Sequence, residues 1–160
     1  MKLEQQEAER LMRMDKIVAE DTQYVFPAPR EQLRIPLVSV NGQERFVLDI
    51  NRGKRRSFKC TYQERYSVVT VLVRLDMNPS RHVNPYVLLP PAGFENYNGT
   101  QFDDAHIHLY VEGWGDKWAI PANLEGFTDP ADMSELTENL TRFLAYCNIV
   151  GMLDIVEALV

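Results

Sequence analysis

The chain has 160 residues, with 17 Lys+Arg against 23 Asp+Glu, a formal net charge of −6 and 45% apolar residues. The apolar share excludes a disordered chain, and no apolar run approaches the roughly 18–20 residues of a membrane span. The charged start, MKLEQQEAER, argues against a secretory leader, so a cytoplasmic protein with one domain over residues 1–160 is expected.

Residues 2–20 predict a helix, because Ala, Glu, Gln, Arg and Lys are strong helix formers and Leu11, Met14 and Val18 form an apolar stripe. Val25-Phe26-Pro27-Ala28-Pro29 then reads as an extended connector, closing an N-terminal segment of residues 1–30. From residue 34 to 120 the pattern alternates with period two. Ile35–Val40, Asn41-Gly42 and Glu44–Asn51 predict a hairpin with a type I′ turn. A strand over 56–63 follows, with Phe58, Cys60 and Tyr62 on one face. In 66–76, Val69, Val71, Val73 and Leu75 point one way, and Thr70, Leu72, Arg74 and Asp76 the other.

Residues 77–104 are rich in Asn, Pro and Gly, and so long an irregular connection is usually functional. In 105–112, Ile107, Leu109 and Val111 face a core, while His106, His108, Tyr110 and Glu112 face away from it. Gly113–Asp116 turns the chain into a short strand over 117–120. Trp118 is expected in the core and Trp114 exposed. Residues 129–160 predict a helical segment, with Asp129 as cap, Pro130 in the first turn and an apolar stripe of Met133, Leu136, Leu140, Phe143, Leu144 and Cys147. A break at Asn148–Gly151 precedes a second short helix. The fold class is therefore α+β: an N-terminal helix, an antiparallel meander of about five to six strands, and C-terminal helices packed on one face.

Charge is unevenly spread. Residues 44–82 carry 9 basic and 4 acidic groups, whereas residues 83–160 carry 2 basic and 12 acidic ones. The basic run Arg52-Gly53-Lys54-Arg55-Arg56 falls on a predicted strand connection. It reads either as a solvated loop or as an electrostatic guide for RNA or an acidic partner. Phe58, Tyr62 and Tyr66 offer aromatic faces for base stacking, although tyrosines at strand spacing are more often core. Cys60 and Cys147 have no metal-type spacing and read as buried thiols of a reducing compartment.

His106, His108 and Tyr110 share one strand face, which is the strongest chemical feature of the chain. One reading is metal binding, with Asp103, Asp104 or His82 completing the set. H-x-H alone is a weak signature and no third ligand stands at a convincing spacing, so no metal and no cofactor is expected. A second reading is acid–base cleavage of a phosphodiester without metal. His82, His106 and His108 would carry protons, Arg52, Arg65 and Arg74 would bind phosphate, and Asp76 would orient an imidazole or neutralise Arg74. The plain reading is that both histidines are exposed strand residues.

The run Val71-Leu72-Val73-Arg74-Leu75-Asp76, then Pro79, His82, Asn84-Pro85 and His106-x-His108, resembles the pattern of the TumE-type toxins of the RelE-like group of small toxin ribonucleases. It is also similar to an uncharacterised bacterial family with the same R-x-D, H-x-N-P and H-x-H-x-Y order. The resemblance covers about residues 46–120. It implies a sheet flanked by helices, an RNA-cleaving face and an antitoxin partner, with Arg74, Asp76, His82, His106 and His108 at the matching positions. The chain departs from that pattern in a longer, less His-rich loop and in its acidity. The expected function is a metal-independent endoribonuclease toxin acting on RNA. His106, His108, His82, Arg74 and Asp76 would be catalytic, and Arg52, Lys54, Arg55, Arg56, Arg65 and Tyr110 would hold RNA. The alternative is a non-catalytic acidic inhibitor of phage or mobile-element origin, whose C-terminal half imitates nucleic-acid charge against a basic effector.

Overall fold

The computed structural model describes residues 2–54 and 58–157, so Arg55 and Arg56 lie outside the described residues. Among the described residues the chain is α+β, with an N-terminal helix, a large antiparallel sheet and a C-terminal helix in chain order. The first helix is shorter than its composition predicts: α1 spans Gln5–Arg13 and buries Ala8 and Leu11. After it, Met14 turns extended, and β1 (Lys16–Val18) pairs with the strand of residues 32–39. The sheet edge supplies backbone partners there, which outweigh the weak helix preference of Ile17 and Val18.

After β2 (Tyr24–Val25), β3 (Gln32–Ser39) and β4 (Arg45–Arg52) form the predicted hairpin, with Val38 opposite Arg45. Its turn is not type I′, which needs left-handed backbone at both central residues. Only Gly42 is left-handed here, at φ +77°. The Asn41 side chain instead accepts a hydrogen bond from the Gln43 N–H, and the loop lengthens around it. Next come β5 (Cys60–Tyr66), β6 (Thr70–Met77), the short pair β7 (His82–Val83) and β8 (Gln101–Phe102), then β9 (His106–Leu109) and β10 (Ala119–Pro121). The main sheet runs β1-β3-β4-β5-β6-β9-β10, seven antiparallel strands where five to six were expected. A register shift between Glu64 and Arg65 bends β5 against β6.

Helix α2 (Met133–Tyr146) covers one face of this sheet. Leu136, Leu140 and Phe143 are buried, the Tyr62 hydroxyl donates to the Leu136 carbonyl, and the Tyr62 and Phe143 rings lie 5.8 Å apart. The helix is capped by Asp132, not Asp129: the Glu135 N–H donates to Asp132, while the Glu135 carboxylate accepts from the Ala131 N–H. Asp129 is committed elsewhere. Its carboxylate accepts the N–H groups of Asn78 and Ala105, at 2.6 and 3.0 Å, and so clamps together the two ends of the long 78–105 connection. Asp129→Ala is expected to destabilise the fold by about 2–4 kcal/mol, because two part-buried donors lose a charged acceptor. Urea unfolding followed by tryptophan fluorescence checks this.

The second C-terminal helix does not form among the described residues. Asn148 and Gly151 are left-handed, and residues 155–156 form β11 (Ile155–Val156), parallel to β2. A single C-terminal helix among the described residues therefore packs on the sheet. Among the described residues no helix is long and apolar enough to cross a membrane.

Candidate functional site

On the sheet face opposite α2, β6 and β9 are neighbours, with Arg74 opposite His108 and Asp76 opposite His106. This register brings the matching motif residues into one cluster. The 78–105 connection folds over it. His82 stacks on His106 with ring centroids 5.3 Å apart, and lies 4.5 Å from the His108 ring, while Phe102 packs at 5.4 Å from His106. His106 and His108 are therefore both 0% exposed. They face away from the α2 core, as their alternation predicts, yet both rings are covered; the exposed-strand reading falls.

Asp76 is the hub. Its Oδ2 lies 3.4 Å from His106 Nε2, 3.2 Å from His108 Nε2 and 3.3 Å from Arg74 Nε, while its Oδ1 accepts from the Thr61 hydroxyl. Arg74 is shared: it also pairs with Asp116, and its Nη2 stands 3.0 Å from His108 Nε2. The outer ring nitrogens meet backbone carbonyls, His106 Nδ1 at Asp104 and His108 Nδ1 at Asp116, at 3.0 and 2.8 Å. A carbonyl only accepts, so each Nδ1 carries a proton, and in the neutral rings both Nε2 lone pairs turn inward toward Asp76.

Asn84 fixes the third imidazole. Its amide donates to the Tyr97 and Ala119 carbonyls, and its oxygen accepts from the Ala119 N–H. The nitrogen of His82 that meets this oxygen at 2.9 Å is Nε2, which must donate, so Nδ1 is the basic nitrogen.

Burial opposes ionisation of Asp76, but the imidazoles of His106 and His108 beside it and the Arg74 charge prevail and hold its carboxyl well below the usual range. Burial lowers the His108 basicity, against the pull of Asp76. Burial also lowers that of His82, against its bond to Asn84. The cluster thus combines an ionised carboxylate with the His82 and His108 imidazoles biased toward their neutral form.

A cavity of about 230 Å³ opens beside the cluster, walled by Arg74, Asp76, His82 and His106, with Lys59 and Arg81 among its lining residues. Lys59 and Thr61 were missed in the sequence, because nothing local distinguishes them; Asn84 was legible only as part of the H-x-N-P order, and Arg81 only as the neighbour of His82.

Of the residues expected to hold RNA, Arg52, Lys54, Arg65 and Tyr110 do not line that cavity, and Arg55 and Arg56 lie outside the described residues. Arg65 is spent on a two-pronged pair with Asp49 and on the Val68 carbonyl. Arg52 lies on the α2 face, where it donates to the Pro27 carbonyl and caps the Phe26 ring. Lys54 is exposed at the end of β4. Tyr110 is buried and donates its hydroxyl to the Leu3 carbonyl, which docks the N-terminal segment. Tyr62 is buried, and Tyr66 is half-buried, packed 5.5 Å from the Phe46 ring with its hydroxyl donating to Glu44. Trp114 is half-buried edge-on to the fully buried Trp118, at 5.7 Å. Asp103 and Asp104 do not complete a metal set. Both are exposed, Asp103 pairing with Arg81, and the third acceptor beside the two histidines is Asp76.

No curated protein and no solved structure matches the chain. A family model does match, over residues 3–149, and the chain belongs to that family of unknown function, DUF6978.

Proposed function

We propose that the protein is an endoribonuclease of the toxin type, with its reaction in the cavity beside β6 and β9. The observation that carries this reading is the convergence of His82, His106, Arg74 and Asp76 on one cavity whose lining also includes Lys59 and Arg81. The geometry redistributes the roles expected from the sequence. The nitrogens of His106 and His108 are turned into the protein, so the imidazole suited to meet substrate is His82, through Nδ1. His82 takes the proton of an RNA 2′-hydroxyl, and the 2′-oxygen attacks the adjacent phosphorus. The bond from phosphorus to the 5′-oxygen breaks, and that oxygen takes its proton from water. The products are a 2′,3′-cyclic phosphate and a 5′-hydroxyl. Lys59, Arg74 and Arg81 offset the charge that accumulates on the phosphoryl oxygens.

The acidic-inhibitor reading lacks comparable support. Asp129, Asp132 and Glu135 bind backbone N–H groups, and Asp103, Asp116 and Glu138 pair with arginines of this chain. Much of the acidity of the C-terminal half is thus used internally.

The test is incubation of purified protein with a single-stranded RNA, scored for cyclic-phosphate ends. His82→Ala is expected to slow cleavage by about 100-fold or more with an unchanged melting profile. RNA left intact by the wild-type protein, with and without added zinc, would overturn the reading.

A further inference from the structure

The buried corner of the site contains a chemical contradiction. Three acceptors, Asp76 Oδ2, His106 Nε2 and His108 Nε2, converge so closely that they lie within 4.8 Å of one another. Arg74 reaches two of them, Asp76 and His108. His106 Nε2 is buried and makes no hydrogen bond, although its ring is 0% exposed. An imidazole lone pair aimed at a carboxylate 3.4 Å away is repelled unless a proton or a metal cation lies between them.

We infer that Asp76, His106 and His108 bind a divalent first-row transition-metal ion, of the zinc or iron(II) class. Two imidazoles and one carboxylate form the donor set of such ions in catalytic sites that keep further positions open. The spacing agrees: a tetrahedral ion with bonds of about 2.0–2.1 Å separates its ligand atoms by about 3.3–3.4 Å. Asp76 stands 3.4 and 3.2 Å from the two nitrogens. The supporting contacts are also those of a metal site. Each histidine donates its outer N–H to a carbonyl, at Asp104 and Asp116, and the second carboxylate oxygen of Asp76 accepts from Thr61.

Arg74 is the resident positive charge at these acceptors, and it competes with the ion. It keeps a partner when displaced, since Asp116 also binds its guanidinium. Asp76 and His106 both wall the cavity, which gives the ion access to water and to a ligand. The proposed ion binding departs from the metal-free expectation of the sequence. It goes beyond the RNA reading and is tested without RNA.

The experiment is equilibrium dialysis of the full chain, stripped of metal by chelator, against zinc chloride, with cobalt(II) as an optical probe. The wild-type chain is expected to retain one ion, and Asp76→Asn and His106→Gln to weaken binding by about 100-fold or more. Arg74→Gln is expected to tighten binding by about 10-fold, a change that damage to the fold would not produce. Should a triad variant fail to fold, X-ray absorption of the metal-loaded wild type decides, with two imidazoles and oxygen in the coordination shell expected. The inference is overturned by a wild-type chain that retains no ion, by folded triad variants that bind like wild type, by Arg74→Gln binding more weakly, or by a shell without imidazole. Metal retention without RNA cleavage would remove the proposed activity and leave the site standing; cleavage without metal retention would do the reverse.

Discussion

Lys16→Met is expected to destabilise the protein by about 3–5 kcal/mol, the range for breaking one side of a buried ion pair. Lys16 and Glu64 are both 0% exposed and 3.2 Å apart, between the sheet and the C-terminal end of α2. The Lys16 ammonium also donates to the Met12 and Cys147 carbonyls and lies 4.9 Å over the Phe46 ring. Loss of the lysine strands two carbonyls and a carboxylate. The double replacement Lys16→Met with Glu64→Leu is expected to recover most of the loss, because an apolar pair carries no desolvation cost. A double-mutant cycle by urea unfolding measures the coupling, and additivity of the two single effects would refute it.

The same pair sets a pH dependence. Burial pushes the Glu64 carboxyl up to about 7, against the Lys16 charge, which pulls it down. The folded state therefore holds this proton more tightly than the unfolded chain does. Its stabilising contribution is full below the ordinary carboxylate value of 4.5 and declines as pH rises toward about 7. Asp76 acts in the opposite sense, and only in acid, where its depressed carboxyl finally protonates. Glu64→Gln is expected to abolish the decline of stability between pH 5 and 7, read from unfolding at a series of pH values.

The second large effect is expected at Asp76. Asp76→Asn should lower RNA cleavage by about 100-fold or more while a cooperative melt is retained. The substitution removes the charge that Arg74, His106 and His108 share and leaves the Thr61 contact with an oxygen partner. Asp76→Glu keeps the charge and displaces it by one methylene, so it should restore part of the rate. A purely structural role would give equal rates for both variants once their stabilities match.

Much of the architecture was legible because strand and helix patterns are local. The alternation of Val73 and Leu75 against Arg74 and Asp76 assigned the two sheet faces, and Leu136, Leu140 and Phe143 announced α2. Boundaries failed where tertiary pairing overruled local preference. Residues 16–18 left the predicted helix for the edge of β3, and residues 155–156 left theirs for β2. The cap moved from Asp129 to Asp132 because Asp129 was drawn to two N–H groups 51 and 24 residues away.

The candidate site divides in the same way. By itself the sequence determined which residues share a face: Arg74 with Asp76, and His106 with His108. Periodicity reports where a side chain points, since that follows from backbone geometry at two residues per repeat. It does not report what covers the face, nor which strand lies next to which. Only the tertiary structure put β6 beside β9, so that Asp76 meets both imidazoles, and laid the aperiodic 78–105 connection over them. It also decided the fate of the basic residues. Arg52, Arg65 and Arg74 look equivalent along the chain, yet what each guanidinium is left to bind depends on the carboxylate or carbonyl that long-range packing sets beside it.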